Sequence, residues 1–155
     1  MEYKYYPSLE KATIGQYVDL FRDAFHRDTK FTVDYLTWQY LKNPHGRAIG
    51  IDAFEEDQLV AHYCIIPRNY IHNERLYRSA LSVNTATHPE HQGKGLFTKL
   101  AEMTYENASQ AGIQFIVGVA NQYSVNGFIK KLGFSNFGQI HMNISYKAFL
   151  NKEDG

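Results

Sequence analysis

The chain has one cysteine, no excess of either charge and no long apolar run. Cys64 is alone among 155 residues, so no intramolecular disulfide can form and a cytoplasmic setting is the expectation. It lies in the apolar stretch Leu59 to Pro67, which suits a buried thiol better than a nucleophile. Basic and acidic side chains both number 16, giving zero formal charge. That balance argues against a basic nucleic-acid footprint and against a polybasic membrane patch, so neither partner is expected. No segment approaches the ~20 apolar residues of a membrane helix. The opening Met1-Glu2-Tyr3-Lys4-Tyr5-Tyr6 has no signal-peptide core. No repeat or low-complexity tract occurs. None of the seven histidines combines with another and a carboxylate at metal-ligand spacing, so no metal is expected.

Aromatic residues are plentiful. Tyrosines (12) outnumber phenylalanines (10), which predicts many half-buried rings with bonded or solvated hydroxyls. The length suits a single domain over 1–150 with a polar tail at 151–155. Tyr3 to Tyr6 reads as a short strand. Ile14, Tyr17, Val18, Phe21 and Phe25 recur at helical steps and predict a helix from Glu10 to His26. Thr32 is a candidate N-cap for a second helix from Val33 to Leu41, closed by Asn43-Pro44-His45-Gly46. Three strands follow: Ala48 to Phe54, Leu59 to Ile66 and Leu76 to Thr87, in an antiparallel meander. A helix from Leu96 to Ala111, an apolar central strand from Ile113 to Ala120, a helix from Ser124 to Leu132 and a strand from Phe134 to Tyr146 complete the order. This is an α/β pattern: a mixed, mostly antiparallel sheet with helices on both faces.

The most informative segment is His88-Pro89-Glu90-His91-Gln92-Gly93-Lys94-Gly95-Leu96-Phe97-Thr98. Here a strand turns through glycines into a helix. Such a junction offers unpaired N–H groups and the positive end of the helix dipole, which together favour phosphate. The P-loop spacing, Gly-x-x-x-x-Gly-Lys-Ser/Thr, is not met. Nor is Gly-x-Gly-x-x-Gly, because Thr98 stands where the third glycine would fall.

The chain resembles the GNAT N-acetyltransferase superfamily over nearly its whole length. The family's pyrophosphate loop, Arg/Gln-x-x-Gly-x-Gly/Ala after a His-Pro pair, corresponds to His88-Pro89 and Gln92-Gly93-Lys94-Gly95-Leu96. Phe97 departs from the last position, and its ring must point away from the phosphates. Asn121 and the later Lys131-Leu132-Gly133-Phe134 match further family positions. Trp38-Gln39-Tyr40, Asn43-Pro44-His45-Gly46 and Leu59-Val60-Ala61-His62-Tyr63 are more loosely similar to a bacterial subgroup found near surface-polysaccharide genes.

The resemblance implies acetyl-CoA as cosubstrate, held where two central strands splay apart. Asn84, Thr85, Ala86 and Thr87 would pair with the pantetheine arm. The amides of Gly93, Lys94, Gly95, Leu96, Phe97 and Thr98 would cradle the pyrophosphate, Gln92 would shape the loop, and Lys94 and Lys99 would add positive field. Asn121 and Asn126 would bond the pantetheine, with Phe128 beside it. A backbone N–H near Thr87 would stabilise the oxyanion. The family's acid is a tyrosine on the helix before Leu-Gly-Phe, a place that falls here on Phe128 or Ile129; Tyr123 is the nearest hydroxyl. His62 is the candidate base, weighed against a structural histidine. Asp28 and Phe31, in the loop between the first two helices, are the candidate acceptor-binding residues. The implied activity is N-acetylation of a primary amine on a small molecule, with an amino sugar as a candidate acceptor. The alternatives are a catalytically silent CoA-binding or regulatory domain, and a fragment of a larger acyltransferase, whose open sheet edge would favour a homodimer.

Overall fold

The computed structural model describes residues 2–25, 30–120 and 124–138. The elements run β1 (Tyr3–Pro7), α1 (Ile14–Phe25), α2 (Val33–Leu41), β2 (Ile49–Glu55), β3 (Gln58–His72), β4 (Arg75–Thr87), a 3-10 turn (Pro89–His91), α3 (Leu96–Gln110), β5 (Phe115–Gly118) and α4 (Val125–Leu132). The sheet order is β1-β2-β3-β4-β5. The first four strands are antiparallel and β5 joins β4 in parallel. The mixed, mostly antiparallel architecture read from the sequence is the one observed.

Helices cover both faces. Leu96, Leu100, Ala101 and Ala108 of α3 pack with Ile51, Ala53, Tyr63 and Ile65 on one side, joined by Phe128 of α4. Tyr17, Leu20 and Phe21 of α1 and Leu36 and Tyr40 of α2 pack with Phe54, Cys64 and Ile66 on the other. Because both faces are covered, β2 is buried from Gly50 to Phe54 without alternation.

Local chemistry sets the element ends. α1 starts at Ile14, not Glu10, because Thr13 and Gln16 form a reciprocal capping box: Gln16 N donates to Thr13 Oγ1 at 3.3 Å and Thr13 N to Gln16 Oε1 at 3.0 Å. Thr32 caps α2, accepting from Tyr35 N at 3.2 Å. β3 and β4 continue past Ile66 as a hairpin, one of the two readings that the polar stretch Pro67 to Glu74 allows, turned by Asn73 and Glu74 with φ of 48° and 62°. β5 is shorter than the expected Ile113–Ala120. Residues 134–138 form no regular element, and the rest of the expected final strand lies outside the described residues.

One irregularity matters for the site. His62 pairs with Ala86 and Cys64 with Val83, so Asn84 and Thr85 together face the single residue Tyr63. β4 therefore carries a bulge, and Asn84 sits in it with φ of 51°.

Candidate active site: a cleft between β4 and β5

β5 pairs with β4 only from Ser79–Phe115 to Ser82–Gly118. Beyond Ser82 the strands part, and the outer edge of Val83–Thr87 has no strand partner among the described residues. His88 N donates to Val60 O at 2.8 Å, which marks that pair as hydrogen-bonded. Antiparallel pairs alternate, so the Thr87 backbone groups point outward, into the opening. Gln92 Nε2 reaches the Thr87 carbonyl there at 3.3 Å.

At the mouth of the opening, Gly93 and Gly95 take φ of 75° and 78°. A Cβ at either would meet nothing within 4 Å, so backbone conformation, not space, selects glycine. Gly95 is the N-cap of the 15-residue α3 and no side chain caps that end. The first-turn amides of α3 consequently remain available to an anion, aided by the helix dipole.

Two cavities meet along this edge. One, of about 410 Å³, is lined by the glycine loop, Thr85–Thr87, Gln92, Leu96 and Thr98. The other, of about 650 Å³, is lined by Phe31, Ser82–Thr85, Asn126 and Phe128. Phe25, Thr85, Phe97 and Lys131 line both, so the two form one continuous cleft. Phe97 turns inward as its bulk requires, edge-on to Tyr63 and Phe128 at 6.0 and 5.5 Å. Gly127 makes room for it, since a Cβ there would lie 3.1 Å from the Phe97 ring.

The structure thus assembles Thr85, Ala86, Thr87, Gln92, Gly93, Gly95, Leu96, Phe97, Thr98, Asn126, Phe128 and Phe31 around one cleft. Lys94 and Lys99 are not among its lining residues; Lys131 is, and the sequence reading missed it as a cleft cation. Asn121, Tyr123 and Asp28 lie outside the described residues.

A family model described as an acetyltransferase (GNAT) domain matches residues 6–137. The chain belongs to the GNAT acetyltransferase family. No curated protein matches it. Among solved structures it resembles glucosamine-6-phosphate N-acetyltransferase from Arabidopsis thaliana, at 14% identity and TM-score 0.70, covering 95% of this chain and 100% of that one. A predicted acetyltransferase with acetyl-CoA from Clostridium acetobutylicum aligns at 18% identity and TM-score 0.69, over 92% and 96%. A transcriptional regulator from Bacillus halodurans aligns at 15% identity and TM-score 0.73, over 94% and 100%. At these identities the likeness is one of fold.

Within this GNAT domain, His62 does not face the cleft. Its side chain is wholly buried between the sheet and α1 and α2. Nδ1 meets Asp52 Oδ1 at 2.6 Å and Nε2 meets the Tyr40 hydroxyl at 2.9 Å. Burial alone would disfavour the imidazolium, but the neighbouring Cys64 sulfur and the Asp52 carboxylate outweigh it and raise its pKa to about 10. A group already protonated at neutral pH and shut off from solvent is unsuited to take a proton from substrate, which corrects its placement as a cleft-facing base. Asp52 is equally buried and accepts from Tyr17 OH at 2.6 Å and Ser8 Oγ at 2.9 Å. Burial and the Asp52 charge push the Tyr17 hydroxyl well above its usual range. Burial likewise raises Tyr40. Cys64 is a free, buried thiol.

On the opposite face, Tyr63 OH bonds Ser82 Oγ at 2.9 Å and Tyr105 OH at 2.7 Å. Burial raises both tyrosines, so they act as hydroxyls and not as phenolates. Phe128 and Ile129 place no ionisable group on α4 at the family's tyrosine position.

The turn before the glycine loop corrects one reading of the histidines. His88, Glu90 and His91 bring donor atoms within 4.8 Å of one another. Two histidines and a carboxylate are therefore brought together here, which spacing along the chain does not indicate. His91 Nδ1 is also bonded to Tyr3 OH at 3.0 Å, and His88 Nδ1 accepts from Glu90 N at 3.4 Å. These contacts build the turn. No helix among the described residues is long and apolar enough to cross a membrane.

Proposed function

We propose that this chain transfers an acetyl group from acetyl-CoA to a primary amine of a small molecule, an amino sugar being the preferred acceptor class. The observation that carries the reading is the continuity of the cleft, from the start of α3, which no side chain caps, to the edge of β4 that has no strand partner among the described residues. The diphosphate of the cosubstrate would rest on the amides of residues 93–98, with Gln92 fixing the loop and Lys131 supplying countercharge. Its pantetheine arm would add to Val83–Thr87 as a strand adds to an edge. Asn126, Asn121 and Phe128 would flank that arm. An outward N–H at Thr87 would stabilise the oxyanion, a contribution of roughly 2.7–4 kcal/mol for one such donor in other enzymes. Tyr123 is kept as the candidate acid, and Asp28 and Phe31 as acceptor-side residues. The amino-sugar preference rests on the loose subgroup resemblance and on the glucosamine-6-phosphate enzyme among the fold neighbours. The proposed compartment is the cytoplasm, with no nucleic-acid, membrane or metal partner. Release of free CoA thiol from acetyl-CoA, measured across a panel of amino sugars and simple amines, tests the reading.

Phe128 and Ile129 at the family's tyrosine position favour a second reading, a catalytically silent CoA-binding or regulatory domain. Tight acetyl-CoA binding with no thiol release for any amine would support it. A fragment of a larger acyltransferase would pair through its sheet edge, and light scattering would then report a homodimer.

A further inference from the structure

The bulge in β4 turns two successive side chains, Val83 and Asn84, toward the α2 face. Val83 packs on the core under that helix, and Asn84 bonds to it. Asn84 also lines the larger half of the cleft. It is the point where a buried hydrogen-bond chain reaches the space that a substrate would occupy.

The proton positions along that chain follow one from the next. The Asp52 carboxylate can only accept, so Ser8, Tyr17 and His62 all donate to it. An imidazolium donates from both nitrogens, so His62 Nε2–H points at the Tyr40 oxygen. The Tyr40 oxygen therefore accepts. Asn84 Nδ2 lies 3.0 Å from that same oxygen and 2.6 Å from Gln39 Oε1. Gln39 is itself oriented, since its Nε2 donates to Tyr35 OH at 3.3 Å. Both N–H groups of Asn84 are thereby used. Its Oδ1 has no protein donor among the described residues, and this oxygen is the group left for a ligand.

We propose that Asn84 Oδ1 binds the acceptor's amine through an N–H···O bond, and that Asp52, His62 and Tyr40 are positioning residues that fix its orientation. The reverse orientation would present an NH₂ group and favour anionic ligands. The inference rests on the transferase reading and adds a specificity residue to it.

The test uses CoA-saturated protein with D-glucosamine as the probe and D-glucose as the amine-free control. Glucosamine is expected to shift the Asn84 side-chain amide signals in an NMR titration, and glucose to leave them in place. Asn84→Ala should weaken glucosamine binding by about tenfold or more, the loss of one hydrogen bond from a charged donor. Tyr40→Phe keeps the ring packing but removes the orienting oxygen, and should weaken glucosamine in the same direction. Thermal melts should show that the variants fold, and Tyr40→Phe should leave acetyl-CoA affinity unchanged. Glucosamine binding that survives Asn84→Ala, or Asn84 signals that do not move under saturating glucosamine, would overturn this inference alone. Failure of acetyl-CoA to bind the wild-type protein would instead remove the transferase reading, and this one with it.

Discussion

His62 Nδ1 lies 2.6 Å from Asp52 Oδ1, and neither side chain has any exposed surface. An ion pair inside a hydrophobic core is costly to desolvate, and it is tolerated here because three donors satisfy the carboxylate. Replacing Asp52 by Asn should leave the His62 imidazolium without its counter-charge. We expect a loss of about 3–5 kcal/mol in denaturant unfolding, and a His62 that titrates lower.

The same pair sets a pH dependence. His62 titrates at about 10 in the folded protein, above the ~6.5 of an unfolded chain. A raised folded pKa contributes stability that is whole below about pH 6.5 and is lost as pH rises through about 10. Urea midpoints measured across that window should fall with rising pH, and the part of the fall due to His62 should shrink in Asp52→Asn.

Gly50 is required by space. A Cβ there would lie 2.5 Å from the Tyr63 carbonyl oxygen and 2.7 Å from Ser8 Oγ, the donor to Asp52. Gly50→Ala should destabilise by at least the roughly 1–3 kcal/mol of an overpacked core, and thermal unfolding measures it.

Gly95 is required by conformation instead. With φ of 78° and open space around it, Gly95→Ala should cost about 1–2 kcal/mol of stability and weaken acetyl-CoA binding as the loop relaxes. Calorimetry and thermal melts separate the two effects.

Lys131 lines both halves of the cleft. Lys131→Ala should leave stability within about 0.5 kcal/mol while weakening acetyl-CoA and flattening the salt dependence of its binding.

The glycine loop was legible in the sequence because its requirement is local: two positive φ values at a strand-to-helix turn select glycine directly. The start of α1 was misplaced by four residues because apolar spacing reaches back past Thr13, whereas the Thr13–Gln16 box is what opens the helix. The Asp52–His62–Tyr40–Asn84 chain was not legible. Its members come from β2, β3, α2 and a bulge in β4, and only the paired sheet brings them together. His62 looked free to face a cleft because strand alternation alone does not reveal which face α1 and α2 cover. Lys131 was read as part of a helix-end signature, and its place in the cleft depends on how α4 packs beside β5.

The central claim is that the backbone of residues 93–98 holds the diphosphate of coenzyme A. An amide-resolved NMR titration with acetyl-CoA, run beside calorimetry, addresses it directly. The account predicts saturable heat, with the largest shifts at 93–98 and along Val83–Thr87. Absence of heat, with those amides unmoved, would contradict it.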